Sequence, residues 1–280
     1  HWSGLSFLMG ETKMSEKAKI AFVAGSASHG SGAHEHPAGC HFLADTLNQH
    51  VDGIEAEVHL AWPEEPDAFN GVSAIAVYSD GGSGHLIIPH LDQVDALAKQ
   101  GMGLVMMHYA IEVPKGRPGD CFLDWVGGYF ETHFSVNPHW EAEFTEFPSH
   151  PISRGLQSFS IDDEWYYHMR FPENMEQVVP ILSAIAPEST LTRDDGPHSG
   201  NPHVRASVAK GEPQHLGWCI ERPDGGRGVG FTGGHYHNNW GDNQFRKFML
   251  NSIAWAAKLD IPEDGISTPT PTTAQLDTYL

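Results

Sequence analysis

Short apolar runs alternate with stretches of helical periodicity through the first half of the chain. Residues 19–25, "KIAFVAG", form an apolar run ending in glycine, which predicts a buried strand and a turn. The loop "SASHGSGAHEHPAG" then leads into "CHFLADTLNQH", where apolar residues recur at spacings of three and four, as in a helix. "IEAEVHL" (54–60) and "SAIAVYSDGG" (73–82) predict strands, "IPHLDQVDALAKQ" (88–100) a helix, and "GLVMMHYA" (103–110) another buried strand. Strands alternating with helices predict an α/β fold, a parallel sheet with helices on both faces.

Beyond about residue 130 the texture changes. "HWEAEFTEF", "VVPILSAI" and "PQHLGWCIE" read as strands joined by Pro- and Gly-rich turns, a β-rich insertion or an extension of the sheet. "GVGFTGG" (228–234) returns as a buried strand. "DNQFRKFMLNSIAWAAKL" (242–259) is an amphipathic closing helix, with Phe245, Phe248, Met249 and Ile253 at helical spacing and Asp242 as its N-cap. Residues 14–260 are expected to form a single domain, and the Pro- and Thr-rich residues 261–280 a tail, either an arm or a packed extended segment. Residues 1–13, ahead of Met14, read as a leader or expression-derived segment.

Composition narrows the partners. The 280 residues suit one α/β domain with insertions. Acidic residues outnumber basic ones 36 to 16, for a formal charge of −20, which argues against nucleic acid and anionic membrane surfaces as ligands. A small neutral or cation-assisted molecule fits better. No apolar run reaches the ~20 residues needed to span a bilayer, and the opening apolar patch makes a poor signal peptide. A cytoplasmic location is the expectation. Cys40, Cys121 and Cys219 form no CxxC pair, so they read as buried thiols and neither a disulfide framework nor a thiolate zinc site is expected.

The chemistry turns on 19 histidines. His29, His34 and His36 follow the first strand, His108 ends "GLVMMH" and His235 ends "GVGFTGGH". Open α/β sheets bind ligands at the carboxyl ends of their strands, and imidazoles with carboxylates hold zinc, manganese or iron. A divalent metal site is therefore the leading reading. The competing one is that each histidine caps a strand or bonds a carbonyl. At most one or two of the trio from His34 to His36 should ligate, since neighbours one residue apart face different ways. "SIDDEWYYHMRFPEN" (160–174) adds Asp162, Asp163, Glu164, Tyr166, Tyr167 and His168, costly to bury without partners. Glu164 or His168 could act as a general base or a further ligand, against the alternative of a solvated acidic turn. "YSDGGSGH" (78–85) has neither the P-loop lysine nor the dinucleotide glycine spacing, so it reads as a tight turn near the pocket.

"GLVMMHYAIE", "HPISRGLQSFSIDDEWYYH" and "GRGVGFTGGHYHNNWGDNQFRKFMLNSIAWAA" together resemble the ThuA-like (trehalose utilisation) family, in the same order from about residue 18 to 259. The resemblance implies a flavodoxin-like sheet of the class I glutamine amidotransferase type. It puts His108 at the elbow that carries the amidotransferase cysteine, His235 at the place of the catalytic histidine, and His237 near that of the usual glutamate. Without a cysteine at the elbow, glutamine hydrolysis is excluded. The resemblance further implies sugar metabolism by way of 3-keto-glycosides. A C3 ketone acidifies the C2 proton, so a base can generate an enediolate that expels the C1 substituent by β-elimination. In that scheme His34, His108 and His235 hold the metal, Glu164 or His168 transfers the proton, and Tyr109, Tyr166, His133 and Trp240 meet the sugar, with His237 as a substrate or outer contact. Glycal hydration (hydrolysis overall) and keto-sugar isomerisation would use the same enediolate. A paired-carboxylate glycosidase and a non-catalytic carbohydrate-binding domain are the alternatives, and a homo-oligomer is allowed.

Overall fold

The computed structural model describes residues 16–280, so the expectation for residues 1–13 lies outside the described residues. The predicted apolar runs form β1 (Ala18–Ala24), β2 (Ile54–His59), β3 (Val72–Tyr78), β4 (Gly103–Met107), β7 (Val178–Ala184), β8 (Gln214–Glu221) and β9 (Arg227–Phe231) of one seven-stranded sheet, ordered β2-β1-β3-β4-β9-β8-β7. The first five are parallel, in the order known from doubly wound flavodoxin-like sheets. β8 and β7 continue the sheet antiparallel. β5 (His139–Phe144) pairs only with β6 (Phe159–Glu164), as a separate antiparallel ribbon. The β-rich part is therefore both a sheet extension and an insertion.

Alternate residues of each central strand enter different cores, as the period of two requires. Ile20 and Phe22 pack beneath α1 (His36–His50) and α5 (Asn243–Ala256), against Leu43, Leu47, Phe248 and Ile253. Ala21 and Val23 face α2 (Leu91–Lys99) and α3 (Arg117–Val126), against Val94, Phe122 and Trp125. Asp242 caps α5 as expected, its carboxylate accepting from the amides of Gln244 and Phe245.

Several elements depart from expectation. α1 starts at His36 rather than Cys40, because Pro37 pre-sets the first turn. α3 and α4 (Pro202–Ala209) were not read as helices, since Gly and Pro crowd their starts. The acidic stretch before Trp165 is no solvated turn: β6 buries Asp163 and Glu164 at its end. Cys121 is only partly buried, unlike Cys40 and Cys219. The tail takes the packed form of the two expected, with Ile261, Ile266 and Leu276 buried, and departs from an extended segment only in the short α6 (Thr273–Asp277), capped by Thr272. No helix among the described residues is long and apolar enough to cross a membrane.

Register levels the sheet at its carboxyl edge. Ala24 lies beside Tyr78, Tyr78 beside Met107, and Met107 beside Phe231. The loops that follow β1, β3, β4 and β9 thus leave the sheet side by side.

Candidate metal centre

Four side chains converge above that edge. His34 comes from the loop after β1, His108 directly follows β4, His235 lies four residues beyond β9, and Glu164 ends β6. His34 Nε2 lies 3.1 Å from His108 Nε2 and 3.0 Å from His235 Nδ1. Glu164 Oε2 lies 3.0 Å from His235 Nδ1, 3.4 Å from His108 Nε2 and 3.8 Å from His34 Nε2. An ion with bonds of about 2.0–2.2 Å sets tetrahedral ligands roughly 3.3–3.6 Å apart. The spacing of this group brackets that range.

The backbone is bent to achieve it. His108 and His34 both have positive φ, 54° and 49°, and each such non-glycine residue costs about 1–3 kcal/mol. Gly234, at φ 113°, turns the chain so that His235 faces back over the sheet. The Asp163 carboxylate fixes this turn by accepting from the amides of Gly234 and His235 and from Asn239 Nδ2. The tyrosine hydroxyl of Tyr78 donates to the Gly234 carbonyl. Asp163 is thereby spent on backbone donors, which removes it as half of a glycosidase carboxylate pair.

Outer partners set the tautomers. His108 Nδ1 donates to the Thr232 carbonyl at 2.8 Å, and His34 Nδ1 donates to Asp80 Oδ1 at 3.1 Å. In their neutral forms both rings then turn Nε2 lone pairs toward each other. Two acceptors at 3.1 Å repel unless a proton or a cation lies between them. The donor set of three imidazoles and one carboxylate suits zinc, manganese or iron. Burial lowers the His108 pKa, favouring the neutral ligand form, against the pull of Glu164. Burial raises that of Glu164, yet the three imidazoles facing it, His108, His235 and His34, outweigh burial to the extent that they carry a proton toward it, and hold the carboxyl below the usual carboxylate range.

Around this centre, Tyr166 is buried and its hydroxyl lies 3.2 Å from His108 Nε2 and 3.3 Å from Glu164 Oε2. Tyr109 is half-buried with its ring 5.9 Å from that of His34, and burial, then Glu112, push its pKa up to about 12. Exposed His29 lies tilted against His34, with ring centroids 3.7 Å apart. Exposed His139 stands against His235 at 4.8 Å. Asn137 Nδ2 donates to Glu164 Oε1.

The expected residues divide accordingly. His34, His108 and His235 meet, and Glu164, expected either to transfer a proton or to be a further ligand, stands with them as a fourth possible donor. His36 does not join: its Nδ1 donates to the Ser26 carbonyl. His168 is turned to the Phe134 carbonyl and packs beside His203, so its ring is engaged apart from the four. Trp240 is wholly buried against Tyr78 and Phe245 and offers a sugar no surface. His237 is also corrected: it is buried and its Nε2 donates to the Leu276 carbonyl, pinning the tail. His133 is exposed, and its backbone braces the segment 197–201. Missed by the sequence reading were Asp80 and Asn137, and for Asp163, which it had singled out, the bracing of the Gly234–His235 turn; "YSD" at the end of a central strand was the available signal for Asp80.

The family model for trehalose utilisation (ThuA) matches residues 22–256. No curated protein matches the chain. Among solved structures, a ThuA-like protein from Bacteroides uniformis ATCC 8492 superposes with a TM-score of 0.61 at 15% identity, covering 90% of this chain and 96% of that one. A ThuA-like protein from Parabacteroides merdae ATCC 43184 superposes with a TM-score of 0.56 at 14% identity, covering 91% and 98%. These likenesses carry the fold, and the family match includes all four residues of the centre. The chain belongs to the ThuA (trehalose utilisation) family.

Proposed function

We propose that the protein is a metal-dependent enzyme that cleaves 3-keto-glycosides by C2 proton abstraction and β-elimination, with a small sugar or glycoside as its substrate. The observation that carries this reading is the pair of facing Nε2 acceptors of His34 and His108, 3.1 Å apart with both Nδ1 protons already committed. A divalent cation between them would relieve the repulsion as a proton would, and His235 and Glu164 would complete its donor set. A divalent ion, which His34, His108, His235 and Glu164 would hold, would supply Lewis acidity to a bound keto-sugar.

The chain's own groups account for the rest. The Tyr109 hydroxyl, with its pKa raised to about 12, stays protonated near neutrality and serves as a hydrogen-bond donor to a sugar oxygen. Tyr166 holds the orientation of His108 and Glu164 from behind. His29 and His139 frame the solvent side of the centre as polar contacts for the substrate. The net charge of −20 supports a neutral sugar over a phosphorylated one.

The test is release of a chromogenic aglycone from a 3-keto-glucoside and from the unoxidised glucoside, before and after EDTA, with divalent metal returned. Release from the keto substrate alone, lost on chelation and restored by metal, is the expected result. Release from neither substrate refutes cleavage and leaves isomerisation or sugar binding. Release from both, indifferent to EDTA, means an ordinary glycosidase.

A further inference from the structure

The donor assignments leave the C2 proton without an acceptor. Glu164 faces three imidazoles, His168 packs beside Phe134 and His203 apart from the four, and Tyr109 and Tyr166 have raised pKa values. A carboxylate–imidazole pair near the centre has no role in the scheme so far. Glu112 ends the turn that begins with His108, its side chain is 5% exposed, and its Oε1 accepts from His198 Nε2 at 2.8 Å. No lysine or arginine pairs with Glu112 among the described residues. Burying a carboxylate against an imidazole alone is costly, which makes the pair a candidate for chemistry rather than for stability.

We propose that His198 removes the C2 proton of the keto-sugar and returns it to the departing oxygen, with Glu112 as its positioning residue. The proposal rests on the keto-glycoside reading above. Since an ionised carboxylate only accepts, Nε2 must carry the hydrogen, and the Nδ1 lone pair is left free. The His198 side chain is about a third exposed, and its Nδ1 has no hydrogen-bond partner among the described residues. Its ring stacks on Phe130 (5.3 Å, 27°), Phe130 meets Tyr166 edge-on (5.4 Å), and Tyr166 lies on His108 (4.6 Å). The loop carrying His198 reaches the centre a second way, because Arg193 donates to Asn137, which donates to Glu164. Glu112 raises the His198 pKa by hydrogen bond and charge, against burial; of the other charges facing it, Arg193 lowers and Glu164 raises it.

In the step, the C2–H bond breaks and its proton passes to His198 Nδ1, while the electron pair forms the enediolate across C2 and C3. That pair then forms C1=C2 as the C1–O bond breaks, and the departing oxygen takes the proton back from Nδ1. Atoms and charge balance with no further reactant.

The experiment follows C2–H exchange by NMR in deuterated water, using a 3-keto sugar with no leaving group at C1, alongside aglycone release from a 3-keto-glucoside. Wild-type protein loaded in turn with zinc, manganese or iron is compared with His198→Gln and Glu112→Gln, and metal content and Tm are measured for each. The expected result is a fall of about a hundredfold or more in exchange and in kcat for His198→Gln, with metal content and Tm retained. For Glu112→Gln, kcat falls and its acid limb moves to lower pH, because the neighbouring charge that raises the His198 pKa is gone. Wild-type exchange matched by His198→Gln overturns the proposal while leaving the keto-glycoside reading intact. A Glu112→Gln variant with lower Tm but an unmoved pH limb overturns it too, as a merely structural pair. A wild type that neither exchanges nor releases removes the keto-glycoside reading itself, and the proposal with it.

Discussion

Metal should stabilise the folded protein by an amount that can be worked out beforehand, and His108→Ala should erase it. A ligand that binds only the native state adds about 2.7 kcal/mol when its free concentration is 100 times Kd. An unfolding entropy of about 2.1 cal/mol/K per residue, over 280 residues, is roughly 0.6 kcal/mol/K, so the expected rise in Tm is about 4–5 °C. His108 contributes one of four donors, and losing an outer-shell partner alone costs about 10–100-fold in affinity. At the same metal concentration a hundredfold weaker site gains only about 0.4 kcal/mol, or under about 1 °C. The comparison is of shifts rather than absolute Tm, since alanine at a φ of 54° destabilises the variant with or without metal. Differential scanning calorimetry of EDTA-treated protein, with zinc, manganese and iron returned one at a time, measures it. Equal shifts in wild type and variant, or none with any of the three, would refute the assignment of these donors to a metal.

Three other outcomes follow from the same geometry. Asp80→Asn should weaken metal binding by about 10–100-fold with the fold retained, because it loosens the hold on His34 Nδ1; unchanged affinity in a competition titration with a metallochromic chelator contradicts it. Asp163→Ala leaves the amides of Gly234 and His235 and Asn239 Nδ2 short of a buried acceptor and should cost about 3 kcal/mol or more in chemical denaturation; a loss below about 1 kcal/mol shows that water replaces the carboxylate. For Glu131, burial raises the pKa, but hydrogen bonds from Arg170, Tyr129 and Lys115 outweigh it and bring it from 4.5 to about 2. A depressed carboxyl stabilises above its unfolded pKa, so this contribution, at most about 3 kcal/mol, is complete above pH 4.5 and lost as pH falls toward 2. Glu131→Gln should lower stability at pH 7 and flatten its dependence across that window; parallel wild-type and variant curves would exclude the effect.

The strands and the closing helix could be read from the chain because their burial is two-sided or periodic. "GLVMM" is wholly buried between two helical layers and "DNQFRKFMLNSIAWAA" carries both its cap and its stripe. The convergence of His34, His108 and His235 followed from the same fact, since a parallel sheet delivers its strand ends together. Glu164 was legible as a general base or a further ligand but not as one rather than the other, because its strand belongs to the separate β5–β6 ribbon and reaches the centre only by tertiary packing. Trp240 and His237 misled because a Gly- and Asn-rich turn reads as exposed, whereas the tail and α5 cover it. Glu112 and His198 lie 86 residues apart with nothing in their local sequence to join them.

The central claim is that the C2–H bond breaks before the aglycone leaves, and a 3-keto-glucoside deuterated at C2 addresses it directly. With metal-loaded protein, aglycone release should be slower from the deuterated substrate than from its protium twin, and the unoxidised glucoside should stay intact. Equal rates from the two keto substrates, together with cleavage of the unoxidised glucoside after EDTA, would contradict the account.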